Sequence, residues 1–158
     1  MAFQLIRNGV LIDGNGGKPL NNAAVLIEDN KIRSVGTADS ISLPNASFTT
    51  IDAKGGTILP GLIDTHVHIT MEMSSPQKMM VTPFSLHFYE SVNYMRRTLD
   101  AGITSVRDAG GADLGVKQAV EQGIVPGPRM QISVTVLGIT GGHVDGWMPS
   151  GVNFDLFP

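Results

Sequence analysis

The stretch ILPGLIDTHVH, residues Ile58–His68, decides the fold. It is a nearly continuous apolar run that ends in two histidines. Runs of this kind are typical of strands buried on both faces of a parallel sheet. Near Pro60-Gly61 the sequence changes from short strands and turns to alternating strand and helix patterns. We assign residues 1–57 to a front unit and residues 58–158, which include the whole apolar run, to a second.

The front unit has the pattern of a small all-β structure. Asn8-Gly9 lies between two strand-like segments and predicts a hairpin turn. Asp29-Asn30 predicts a second two-residue turn between Ala24–Glu28 and Lys31–Val35. A further strand is predicted around Phe48–Asp52. Short strands joined by tight turns predict a meandering sheet.

The second unit alternates strands with helices. A helix with one apolar face is predicted by residues at helical spacing, which are Phe88, Val92, Met95 and Leu99. Further patterns predict a strand at Ile103–Asp108, a helix at about Asp113–Gln122 and a strand at Met130–Leu137. Right-handed crossovers would make the three strands parallel neighbours. Three strands leave open edges, and a closed (β/α)₈ barrel needs about 250 residues. The sequence therefore predicts an α/β protein of which this is the front part, or one completed by a partner chain.

The two histidines that end the apolar run are the candidate metal ligands. His66 and His68 are two residues apart, so on a strand their side chains project to the same side. A divalent cation between two adjacent imidazoles keeps both neutral and uses their lone pairs. They also fall at the carboxyl end of the strand, which is the catalytic face of an α/β barrel. The alternative, two ordinary histidines at a strand end, is disfavoured by this context.

Two aspartates lie near this predicted site. In a regular strand Asp64 shares the face of the histidines, where it would hydrogen-bond a ligand histidine or fill a polar layer. Asp108 ends the second predicted strand and shares the parity of Thr104 and Val106. We interpret Asp108 as a structural residue at the mouth of the sheet rather than a catalytic one.

Composition excludes several classes of function. The net charge is −3 with no basic stripe, which argues against a nucleic-acid partner. The chain has no cysteine, so a metal must be held by nitrogen and oxygen, and zinc is the first expectation, with manganese, iron or cobalt as alternatives. We find no apolar run long enough for a signal peptide or a membrane span. A cytoplasmic location fits, and homo-oligomer formation stays open.

Several segments resemble the amidohydrolase superfamily. Ile58–His68 resembles its strand-one signature, and Gly9–Ile12 with Ile27–Ile32 resemble the small β-sandwich domain that precedes its barrel. The segments that resemble the imidazolonepropionase-related branch, especially its prolidase-like and carboxypeptidase-like members, are Ala101–Gly111, Gly127–Arg129 and Thr140–His143. The resemblance covers nearly the whole chain. It implies the start of a (β/α)₈ TIM-type barrel preceded by a small β-sandwich domain.

The resemblance also implies site residues. Members of the superfamily carry further metal ligands on later strands: a lysine that is usually carboxylated, two more histidines and an aspartate that also serves as general base. Those strands are absent from this sequence, so one or two metal ions and the base are implied, and no catalytic residue is predicted within the chain. His143, in a glycine-rich loop after the third strand, is implied as a substrate-binding residue. The alternative is a surface histidine.

Three kinds of function remain open from the sequence. The first is metal-dependent hydrolysis of an amide-type C–N bond in a dipeptide or N-acyl amino acid, a substrate class that only the resemblance implies. The second is hydrolysis of a cyclic amide, urea or carbamate with the same metals. The third is a non-catalytic barrel scaffold, against which the presence of both His66 and His68 argues.

Overall fold

The computed structural model describes residues 2–71, 81–142 and 144–145. The chain forms two compact units, Met1–Pro60 and Gly61–Pro158. The division falls slightly later than the predicted one, because Thr57 and Ile58 pair with the first strand of the front unit. Within the described ranges, no helix has both the length and the apolar character needed to cross a bilayer.

The described residues of the front unit form one five-stranded sheet. Its strands are β1 (Phe3–Leu11), β2 (Leu20–Glu28), β3 (Lys31–Thr37), β4 (Phe48–Asp52) and β5 (Thr57–Ile58), and a 3₁₀ helix spans Ala38–Ser40. The order is β3-β2-β1-β4, with β5 also beside β1. The strand at Phe48–Asp52 and the turn at Asp29-Asn30 are confirmed. A sandwich has two sheets, so these residues supply one layer of it at most.

Strand β2 lies between β3 and β1 in the sheet, and it has buried residues on both of its faces. Alternate residues of a strand point to opposite faces. The residues on one face are Ala23 and Val25, packed with Leu11 and Ile58; those on the other are Ala24 and Leu26, packed with Leu5. Each face therefore has its own small core.

The hairpin predicted at Asn8-Gly9 is wrong. Strand β1 runs straight through both residues, and the β1–β2 register shifts between Ile6 and Gly9. Asn8 has a φ of 61°, and its side-chain amide donates to Asp52 Oδ1 at 3.1 Å. This bond and the Lys54 N–H lower the pKa of the Asp52 carboxyl, the Lys54 bond most strongly. Asn-Gly forms a β-bulge here, since a bulge uses the same left-handed conformation as a turn.

The second unit has the predicted alternating order. In the residues that the structure describes, its elements are β6 (Leu62–Val67), α1 (Phe84–Asp100), β7 (Ile103–Asp108), α2 (Leu114–Glu121) and β8 (Arg129–Ile132). The sheet order is β6-β7-β8, and both pairs are parallel. Parallel pairing brings the carboxyl ends of the three strands to one edge of the sheet.

The core of this unit lies between the sheet and the two helices. Its buried residues are Ile69, Met95, Val106, Ala112, Val116 and Met130. Met95 of α1 is only 1% exposed, as the apolar spacing of that helix predicts. Helix α1 ends where Gly102, with a φ of 84°, donates its N–H to the Leu99 carbonyl. Asp113 caps α2 by accepting the Val116 N–H.

Strand β8 is shorter than predicted. The alternating pattern of Ile132, Val134 and Val136 favours a strand to Leu137, but β8 ends at Ile132. Val134 has a φ of 66°, a left-handed conformation that is unfavourable for a β-branched residue. In this conformation its carbonyl accepts the N–H of Gly111 at 3.0 Å. The chain therefore leaves the sheet to bond the loop that follows β7.

The exposed apolar surface of the second unit generates a prediction about residues 1–158 expressed alone. Leu62 is 51% and Ile63 71% exposed, and in the described residues β6 and β8 each pair on one side. We expect this polypeptide to aggregate or bind a hydrophobic dye. Ile63→Thr should lower dye binding, whereas Val116→Thr, in the core, should raise it. A soluble monomer with one sharp cooperative melt would contradict the prediction.

Candidate metal centre

The carboxyl end of β6 presents two imidazoles side by side. His66 lies in the strand and His68 directly after it, and Val67 between them packs against the core. The ring centroids of His66 and His68 are 5.4 Å apart, with an angle of 75° between the ring planes. The structure therefore brings together the two residues that the sequence predicts as ligands.

The ring of His68 is oriented by a main-chain carbonyl. Its Nδ1 lies 2.8 Å from the carbonyl oxygen of Gly110, in the loop after β7. A carbonyl can only accept, so Nδ1 carries the hydrogen of this bond, which leaves the lone pair of a neutral ring on Nε2. Metal-ligating histidines characteristically donate their other ring N–H to a carbonyl or carboxylate. His68 thus has the tautomer and orientation of a metal ligand.

The loop that supplies this carbonyl requires two glycines. Gly110 and Gly111 have φ values of 144° and 111°, which side-chain-bearing residues rarely adopt. A Cβ on Gly110 would lie 2.3 Å from Val136 Cγ2, and one on Gly111 would lie 2.8 Å from Thr70 Oγ1. The Gly-Gly pair therefore lets the chain pass between neighbouring loops and turn its carbonyl to His68.

Asp108 lies at the centre of these contacts and is fully buried. Its Oδ2 accepts the N–H of Ile69 at 2.7 Å, and its Oδ1 accepts those of Gly110 at 3.0 Å and Ala112 at 3.2 Å. The sequence indicates a structural residue here but not these partners. The available signal was an aspartate two residues before the first glycine of a pair, since such side chains often accept main-chain N–H groups two residues on.

Asp64 contacts the main chain of a predicted ligand and not its ring. Its Oδ1 accepts the backbone N–H of His66 at 3.1 Å. The β6–β7 register shifts between Asp64 and Val67, so the strand is irregular between Asp64 and the histidines. The carboxylate instead stabilises the irregular backbone at His66.

The remaining predicted site residue, His143, lies outside the described residues. Among the described residues, His66 and His68 are not joined by a third His, Asp or Glu in a group that could hold a metal ion. Zinc sites need three or four protein ligands, so this pair supplies part of a shell. Two imidazole nitrogens in a chain without cysteine fit zinc or a neighbouring divalent metal.

Comparisons with known proteins give several similar proteins. Ochratoxinase of Aspergillus niger is 31% identical over 145 residues, which cover 89% of this chain and 30% of that protein. A solved amidohydrolase is 44% identical with a TM-score of 0.77, covering 94% of this chain and 36% of that one. A solved prolidase, complexed with N-methylphosphonate-L-proline, is 35% identical with a TM-score of 0.80. The match covers 98% of this chain and 37% of the prolidase chain.

These coverages show that the chain spans about a third of the length of the relatives it matches. The model of the amidohydrolase family matches residues 57–155, which include β6, both helices and the loop that holds His68. The chain therefore belongs to the amidohydrolase family, whose members are metal-dependent enzymes of the TIM-barrel type.

Proposed function

We propose that the complete protein is a metal-dependent hydrolase that cleaves an amide-type C–N bond in a dipeptide or an N-acyl amino acid. The observation that carries the proposal is the pair of imidazoles at the end of β6, with His68 Nδ1 bonded to Gly110. His66 and His68 would hold a divalent ion, zinc first. Lewis acidity from one or two such ions would activate water and polarise the scissile carbonyl.

The chain's own residues contribute orientation. The Gly110 carbonyl keeps the Nε2 lone pair of His68 available. The Asp64 carboxylate fixes the backbone turn that carries His66. Both contacts position the ligand histidines and neither provides a general base. We therefore propose that the general base, like the remaining ligands, is supplied by a later strand.

We also propose that β6, β7 and β8 are the first three strands of a (β/α)₈ barrel, with the front sheet as part of a β-sandwich domain. The parallel order β6-β7-β8, with α1 described between β6 and β7 and α2 between β7 and β8, supports this. The carboxyl ends of barrel strands converge on one face. We propose that His143, which follows β8 in the chain, contacts substrate.

The substrate class is supported by the solved prolidase, which is similar along 98% of this chain. The test is a panel of dipeptides and N-acyl amino acids, with cyclic amides, ureas and carbamates as comparison sets. The full-length protein, loaded with zinc, manganese or cobalt, should release free amino acids from the first sets and lose that activity to a chelator. Turnover confined to the comparison sets, or none at full metal content, would contradict the proposal.

Replacing either predicted ligand should remove metal and activity together. In the full-length protein, His66→Ala or His68→Ala leaves one imidazole of the pair, so metal content and kcat/KM should both fall. Asp64→Asn should have a smaller effect and lower metal affinity or activity on the order of 10–100-fold, because it affects only the positioning of His66. Metal content is measured by elemental analysis after dialysis.

The matched control is His87→Ala, a histidine of helix α1 that belongs to neither the pair nor its loop. It should leave the metal content unchanged. Full metal occupancy in the double variant His66→Ala/His68→Ala would remove this site from the account.

His143→Ala should separate substrate binding from metal binding. If His143 contacts substrate without binding metal, the variant should keep its metal content but have a lower kcat/KM. A contact to a substrate carboxylate would act mainly on KM, and a contact to the developing oxyanion would lower kcat by roughly 100-fold or more. Steady-state kinetics with the best substrate measure both. Unchanged kinetics would exclude a substrate contact.

A further inference from the structure

We infer that Asp108 is a positioning residue for the metal ligand His68, an inference that rests on the proposed function. Its carboxylate accepts main-chain N–H groups from two segments that contact that ligand: the residue after His68 and the loop that bonds its ring. One oxygen accepts the N–H of Ile69, the residue directly after His68. The other accepts the N–H of Gly110, whose own carbonyl accepts the His68 ring.

The Gly110 residue links the carboxylate to the imidazole. Its N–H donates to Asp108 and its C=O accepts from His68 Nδ1, at 3.0 and 2.8 Å. The Ile69 bond restrains the backbone that carries the imidazole, and the Gly110 bond restrains the partner of the ring. Position and orientation of the Nε2 lone pair are thus fixed through one side chain. Metal–ligand distances tolerate deviations of only about 0.2 Å, so such restraint affects affinity.

The surroundings of Asp108 require an acceptor at both oxygens. The side chain is fully buried, and in the described residues its partners are the three N–H groups of Ile69, Gly110 and Ala112. A carboxylate accepts at both oxygens, whereas an asparagine presents a donor at one of them. In Asp108→Asn a buried N–H would face another donor, either at Ile69 or at the glycine loop. One end of the link would then open without a change in side-chain size.

Hydrogen bonds between the strand ends of β7 and β8 strengthen this link between Asp108 and His68. The backbone carbonyl of Asp108 accepts the N–H of Ser133, after β8, and Gly111 donates to the Val134 carbonyl. The loops after β7 and β8 therefore hold each other in place. Asp108 connects this joined pair to the loop after β6 that carries the ligand.

The experiment compares Asp108→Asn with a matched control, Asp113→Ala, in the full-length protein. Asp113 caps α2 by accepting the Val116 N–H, and among the described residues it is not bonded to His68, Ile69 or Gly110. Both variants should lower the Tm of the metal-free protein. Only Asp108→Asn should raise the Kd for Zn²⁺, by about 10–100-fold in competition with a chelator. It should also alter the visible spectrum of bound Co²⁺, which reports ligand geometry.

The outcomes separate this inference from the proposed function. His66→Ala, measured alongside, tests whether metal binding uses the predicted pair; binding that does not depend on His66 overturns the proposed function. If binding depends on His66 and Asp108→Asn keeps the parental Kd and Co²⁺ spectrum, the inference alone is overturned. A weaker Kd in both aspartate variants, in proportion to their loss of Tm, also overturns it.

A second measurement decides the matter if Asp108→Asn does not fold. Hydrogen exchange is followed in the parental full-length protein with and without Zn²⁺. Because the ligand is tied to them through Asp108, the amides of Ile69, Gly110 and Ala112 should exchange more slowly with metal, although none coordinates it. His68→Ala should abolish this slowing. Exchange that is unaffected by Zn²⁺ at these amides would contradict the inference.

Discussion

The hydrogen bond from His68 Nδ1 to the Gly110 carbonyl is the interaction on which the proposed site depends. It joins residues 42 positions apart, so it forms only when β6 and β7 are paired in parallel. It decides which ring nitrogen holds the hydrogen and therefore which nitrogen is available to a metal. The fold of the second unit and the chemistry of its strand ends are linked through this contact.

The backbone around this bond is shaped at some energetic cost. Val134 occupies a left-handed conformation, which costs on the order of 1–3 kcal/mol for such a residue. The conformation directs its carbonyl to Gly111, and Val136 fills the space that a side chain on Gly110 would need. Such strain persists where surrounding contacts over-determine the backbone, and it is concentrated at functional sites. Here it lies beside the loop that holds His68.

The sequence predicted the elements whose periodicity is strong. The apolar face of α1 and the strand Ile103–Asp108 are as expected, because helical spacing and a short buried run are local signals. The pairing of His66 with His68 also followed from strand alternation.

The failures have a common physical cause. At Asn8 and at Val134 the backbone departs from regular strand geometry where a distant segment bonds to it. Nothing local records those partners. The partners of Asp108 and the role of Gly110 were missed for the same reason: their contacts with Ile69 and His68 cross from one strand end to the next. His143 depended on the resemblance alone and stays a prediction.

The most direct test of the central claim is anomalous X-ray diffraction from crystals of the full-length protein grown with zinc. The account predicts an anomalous peak at the zinc edge within about 2.0–2.1 Å of Nε2 of both His66 and His68, with Nδ1 of His68 still bonded to Gly110. A peak bonded to Nδ1 of His68, or a metal-loaded protein with no peak at this pair, would contradict it.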